Sequence, residues 1–191
     1  MTETIPSNAG STEPSLRPYL PFLILFLTAF VTFSFKTVNK APADRANDVE
    51  MMQFRADVTG YAQNFTGLRY RSAGYSPKTG FDCSGFTSYI LDEFSVKVSR
   101  SSRTQSTQGL KTSLKDVLPG DLVFFGGPGR IQHVAMVVEN TPEGVFCVHS
   151  TCTRGIIVEN ISTSKYWKPK ILFARDVITG LAIWAPSKQN D

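Results

Sequence analysis

Cys83, His133 and His149 are the residues of this chain whose types and spacing suit covalent chemistry. An ionised cysteine is a strong nucleophile, and histidine is the side chain that moves protons near neutral pH. Cys83 stands in Gly80-Phe81-Asp82-Cys83-Ser84-Gly85-Phe86, where a loop turns into a helix. Residues Phe86, Thr87, Ile90, Leu91 and Phe94 follow it at the spacing of one helical face. Pro77 and Gly80 break any earlier helix, and Asp82 is a good capping type. The thiol therefore belongs in the first turn, where unpaired N–H groups and the helix dipole favour a thiolate. A thiol of pKa ~8.5 is roughly 3% ionised at pH 7, and a pKa of ~6 makes that about 90%. The competing reading is an ordinary small buried cysteine. The decision rests on a base elsewhere.

The two histidines of the sequence are both placed in strands. His133 opens an expected strand from Ile131 to Glu139, and His149 closes one from Val145 to Ser150. The turn at 140–144 makes the two a hairpin, so an early residue of one meets a late residue of the other. A cysteine at a helix start, a histidine and a second polar residue that orients it form a nucleophile–base–orienter set. The Cys83 amide N–H is the natural oxyanion donor.

The elements that must position these groups follow from the rest of the chain. It has 191 residues, 41% hydrophobic and 12% aromatic, enough for one domain with a real core plus an appendage. The net charge of +4 comes from scattered Lys and Arg, which disfavours nucleic acid as a partner and is compatible with an anionic envelope polymer. No nucleotide-binding loop or internal repeat is visible, and no cofactor is expected. Cys147-x-His149-x-x-Cys152 departs from zinc spacings and lacks a clear fourth ligand, so no metal site is expected. The odd count of three cysteines leaves at least one free thiol, and pairing of Cys147 with Cys152 stays open.

Residues 1–15 read as a disordered tail and 16–36, with the apolar run Phe22 to Phe35, as a transmembrane anchor or signal segment. Glu3 and Glu13 in the leading region, and the remoteness of Ala41-Pro42-Ala43 as a cleavage site, favour an uncleaved anchor. Residues 37–48 read as a linker, 49–180 as the domain and 181–191 as a tail. A helix from Val49 to about Phe65 would bury Met52, Val58, Ala62 and Phe65. Lys97 to Ser113 is polar and mostly loop; strands are expected at 121–125, 131–139, 145–150, 155–159 and 171–177. Helices first and an antiparallel meander afterwards give an α+β fold, with helices on one side of a sheet of about five strands.

At this point the chain resembles the NlpC-type cell-wall peptidases, papain-like cysteine hydrolases of peptidoglycan stem peptides. The resemblance is carried by Tyr61 to Tyr70, Ser76 to Phe86, Arg100 to Gln105, Leu118 to Phe125, His133 to Asn140 and Val148 to Ser150. It implies Cys83 as nucleophile, His133 as base and His149 as third catalytic residue, with Tyr70, Asp82 and Ser84 on the substrate side. Asp82 has a plain capping role as its alternative, and Tyr70 a packing one. Arg100 and Gln105 are expected to order their loop. Departures stand at Ala73-Gly74, Val98-Ser99 and Ala135. The implied reaction is cleavage of a D-glutamyl–diamino acid amide through a thioester, by an envelope enzyme held at the membrane by its N-terminal segment. The alternatives are a Cys–His amidase or acyltransferase, and a non-catalytic envelope-binding module.

Overall fold

A computed structural model describes residues 42–180. The expected tail, apolar segment, first linker residues and C-terminal tail lie outside the described residues. Among those described, no helix is long and apolar enough to cross a membrane.

Helix α1 spans Pro42–Gln63. It starts earlier than the periodicity predicts, so residues 42–48, read as linker, form its first turns. Ala, Asp, Arg and Asn tolerate a helix, but residues 44–50 are exposed and leave no apolar pattern to read. The buried stripe is also rotated: Arg55, Val58, Thr59 and Ala62 are buried, whereas Met52 is 44% exposed. Arg55 is what turns the helix. Its guanidinium donates to Asp121 Oδ1 at 2.8 Å, Asp176 Oδ1 at 2.8 Å and the Pro119 carbonyl at 2.8 Å. Burial pushes the Asp121 carboxyl up to about 6, against the Leu118 amide and Arg55, which pull it down.

A ribbon of β1, Tyr75–Ser76, and β2, Gly80–Phe81, leads into α2, Cys83–Glu93. A four-residue helix α3, Ser102–Gln105, follows. The main sheet comprises β3 Leu110–Thr112, β4 Leu122–Gly127, β5 Arg130–Thr141, β6 Gly144–Thr151, β7 Gly155–Asn160 and β8 Ile171–Asp176. Their spatial order is β3-β8-β4-β5-β6-β7, antiparallel throughout. The sheet thus has six strands, one more than expected. The extra one, β3, is three residues long on an exposed edge, where sequence carries little alternation.

Alternation then sorts the two faces. Val134, Met136, Val138, Val148 and Ile156 pack with Phe86, Ile90 and Leu91 of α2 and with Val58 and Ala62 of α1. The opposite face (Phe125, Ala135, Val137, Cys147) is covered by Val117, Ile161 and Trp167. Helices do lie on one side, and a loop with a short turn at Lys168–Lys170 closes the other.

The start of α2 is fixed by close backbone approach. A Cβ on Gly85 would stand 2.0 Å from the Gly74 carbonyl oxygen. Gly85→Ala is therefore expected to lower stability by about 2 to 3 kcal/mol, because backbone cannot yield as a side-chain tip can. Urea unfolding checks this; a change under about 0.5 kcal/mol, the size of a neutral surface substitution, would contradict it.

Candidate active site

Cys83 is the first residue of α2, capped by Asp82, whose Oδ1 accepts from the Gly85 N–H at 2.6 Å and from Ser84 Oγ at 3.3 Å. Both side chains are thus engaged in the turn that presents the thiol, and Ser84 is buried. Buried Gln105 ties the helix to the following loop: it donates to the Ser84 carbonyl at 3.1 Å and the Ser99 carbonyl at 2.6 Å, and accepts from Thr87. Arg100 lies 4.0 Å over the Tyr75 ring and donates to the Ala73 carbonyl at 3.5 Å, so it braces the preceding loop. Ala73, one of the departures noted in the sequence, holds φ at 54° in the left-handed region.

The backbone amide of Val134, and then those of Ser84 and Cys83, act on the thiol to lower its pKa. Val134 follows His133 directly, so α2 presents the thiol to the strand that carries the imidazole. A register shift between Phe125 and Gly126 lies opposite, a bulge of the kind that re-aims side chains. His133 Nε2 lies 2.8 Å from His149 Nδ1. The two are not direct cross-strand partners. Continuing the Met136↔Val148 register puts Thr151 opposite His133, so the rings meet on the diagonal of one face.

Two features were not legible from the expected motifs. Trp167 stacks on His133 with centroids 4.5 Å apart and planes 25° apart. Glu159 Oε1 lies 2.9 Å from His149 Nε2. The signal for both was weak: a tryptophan in a lysine-rich loop, and a carboxylate on a strand otherwise rich in isoleucine and valine.

The electrostatics reverse one expectation. The helix start and the three amides favour a thiolate, but burial outweighs them and raises the Cys83 pKa above its ordinary value. Burial, then the adjacent His149, holds His133 down at about 3. Burial thus favours the neutral form of both the thiol and the imidazole. The helix position alone could not reveal this, because burial is set by the packing of the whole domain, as where Trp167 stacks on His133.

Tyr70 pairs with Phe81 by an isolated bridge and is hydrogen-bonded to the Cys152 thiol; burial first, then that bond, pushes its pKa up to about 12. Cys83 and Asp82 add to the shift, which places the phenol on the cysteine side of the site. Cys147 is buried, Cys152 is exposed, and both are free thiols.

A model of the NlpC/P60 family matches residues 67–176, more than half of the chain. The chain belongs to the NlpC/P60 family. Curated relatives are the gamma-DL-glutamyl hydrolase of Bacillus subtilis, 31% identical over 63% of this chain, and the murein DD-endopeptidase/LD-carboxypeptidase MepS of Escherichia coli K12, 29% identical over 70% of it. The match covers 29% of the Bacillus protein and 68% of the Escherichia one. Among solved structures, an NlpC/P60 protein from Bacillus cereus aligns at TM-score 0.59 with 30% identity, over 64% of this chain and 40% of that one. The NlpC/P60 domain of the peptidoglycan hydrolase SagA aligns at TM-score 0.54 with 27% identity, over 64% of this chain and 97% of that one. NlpC/P60 members include cysteine peptidases that act as peptidoglycan endopeptidases. The α+β arrangement of helix and antiparallel sheet is the NlpC/P60 fold.

Proposed function

We propose that this NlpC/P60 chain is a cysteine endopeptidase of the cell envelope that hydrolyses peptidoglycan stem peptides, at a D-glutamyl–diamino acid amide. The observation that carries the chemistry is the 2.8 Å contact between His133 Nε2 and His149 Nδ1, with His133 on the strand whose next amide, that of Val134, acts on the Cys83 thiol. The glutamyl bond is supported by the glutamyl hydrolase name of one relative, and the wall substrate by the murein endopeptidase name of another. Residues 49–180, together with the first turns of α1 from Pro42, are the catalytic domain in this reading, and the apolar segment at 16–36 holds it at the membrane, facing the wall.

In this mechanism Cys83 Sγ attacks the scissile carbonyl as its proton passes to His133. The oxyanion forms at the Cys83 N–H, which α2 leaves unpaired in its first turn. Collapse breaks the C–N bond, and His133 gives the proton to the departing amine. Water, deprotonated by His133, then cleaves the thioester and restores the thiol. Tyr70 stays protonated and offers a hydrogen bond on the acyl side, where Asp82 and Ser84 shape the wall.

Because the base must be neutral, a depressed His133 pKa keeps activity as pH falls through the ordinary imidazole value of ~6.5. The raised Cys83 pKa likewise moves the alkaline limb upward. The profile of kcat/KM is expected to be flat between about pH 5 and pH 8. An acid limb centred near ~6.5 would mean that the base keeps the ordinary imidazole pKa, and would contradict the depressed value of His133. Incubation with defined stem peptides and mass spectrometry of the products tests the bond; cleavage at another amide would overturn that assignment.

A further inference from the structure

Three polar residues run diagonally across β5, β6 and β7. His149 is opposite Ile157, and Glu159 lies two residues on, on the same face. We propose that Glu159 is a positioning residue that fixes the proton placement of the whole relay, from His149 through to His133. The inference rests on the catalytic reading above and names a fourth member of that site.

A carboxylate only accepts, so the 2.9 Å contact to Glu159 Oε1 requires a hydrogen on His149 Nε2. A neutral His149 then has its lone pair on Nδ1. That nitrogen accepts across 2.8 Å, which puts a hydrogen on His133 Nε2. The lone pair of His133 is thereby left on Nδ1, where it can take the thiol proton. Without Glu159, His149 can carry its hydrogen on Nδ1 instead. It would then donate to His133 Nε2 and force the His133 hydrogen onto Nδ1, a tautomer that is no base toward Cys83. The carboxylate acts two residues away by excluding that arrangement.

The surroundings keep Glu159 in this role. Its Oε1 also accepts from Arg154 Nη2 at 2.8 Å and from Trp167 Nε1 at 2.9 Å. Burial favours its neutral form, but Arg154 and His149 outweigh that and hold its pKa below the ordinary value, so it is ionised at neutral pH. Burial also keeps His149 neutral, although Glu159 pulls the other way. The same oxygen that orients His149 anchors the tryptophan stacked on His133. Other titratable groups nearby are the buried Cys147, and Cys152 and Lys170, which line a cavity of about 400 Å³ together with His133, Arg154, Glu159 and Trp167.

The test compares the full chain with Glu159→Gln, Glu159→Ala and Glu159→Asp, reading kcat and KM on a stem peptide and imidazole 15N shifts by NMR. The unmodified protein is expected to show hydrogens on Nε2 of both histidines. Glu159→Ala is expected to lose about 10- to 100-fold in kcat with KM nearly unchanged, as removal of outer supports does elsewhere. Its His133 signals should shift toward an Nδ1–H form. Glu159→Gln, near-isosteric and folded, should show the same shift in part, and Glu159→Asp should restore some activity. Unchanged tautomers and kcat in both Ala and Gln variants would overturn the proposal, as would an Nδ1–H on either histidine of the unmodified protein. If the stem peptide is not cleaved by the unmodified protein, the substrate reading fails while the 15N shifts still decide the role of Glu159.

Discussion

Cys83→Ala is expected to abolish stem-peptide hydrolysis, with kcat falling on the order of 10⁴-fold or more, the scale seen when a nucleophile is removed from a catalytic set that acts as a unit. His133→Ala should cost a similar factor, and the double variant little more than either alone, since each residue works only through the other. Stability should move by less than about 1 kcal/mol in Cys83→Ala, because the side chain is small and half-buried and Asp82 still caps the helix. Turnover of wall material by purified Cys83→Ala, within tenfold of the unmodified protein and free of metal contamination, would remove Cys83 from the mechanism. The same comparison separates the enzyme from a binding module on the same fold, which would hold wall material equally well with or without the thiol.

The second large effect concerns folding. Arg55→Ala is expected to destabilise the domain by about 3 to 5 kcal/mol, the cost of breaking a buried ion pair by removing one partner. Arg55 is fully buried and joins α1 to the turn before β4 and to the end of β8 through Asp121 and Asp176. Its loss strands Asp121, itself 1% exposed, with no cation beside it. A fall in Tm of roughly 10 °C or more should accompany the change for a domain of this size. Lys97→Ala supplies the contrast. Its partner Asp92 and Lys97 itself are well exposed, at 42% and 72%, and such a pair contributes only about 0 to 1 kcal/mol. Equal Tm shifts in the two variants would contradict the argument from burial.

These two residues differ in how far the sequence announces them. Cys83 is legible because its setting is local: a capping aspartate, a glycine that tolerates close approach and an apolar face at helical spacing all lie within a dozen residues. The same holds for the hairpin that joins His133 to His149, since a turn and two alternating strands bring them to one end. Arg55 is the opposite case. A charged residue in a helical pattern reads as solvent-facing, and only Asp121 and Asp176, distant in sequence, explain its burial.

The sequence by itself determined the α+β order, the cysteine at a helix start and the pair of strand histidines, since each rests on periodicity and short-range chemistry. Tertiary structure alone decided the diagonal meeting of the two rings, the stacking of Trp167, the attachment of Glu159 and the burial that favours a neutral thiol and imidazole. The physical reason is that hydrogen-bond partners and desolvation are set by whatever the fold brings near. A helix dipole can be read from a heptapeptide, but the water it competes with is removed by residues far along the chain.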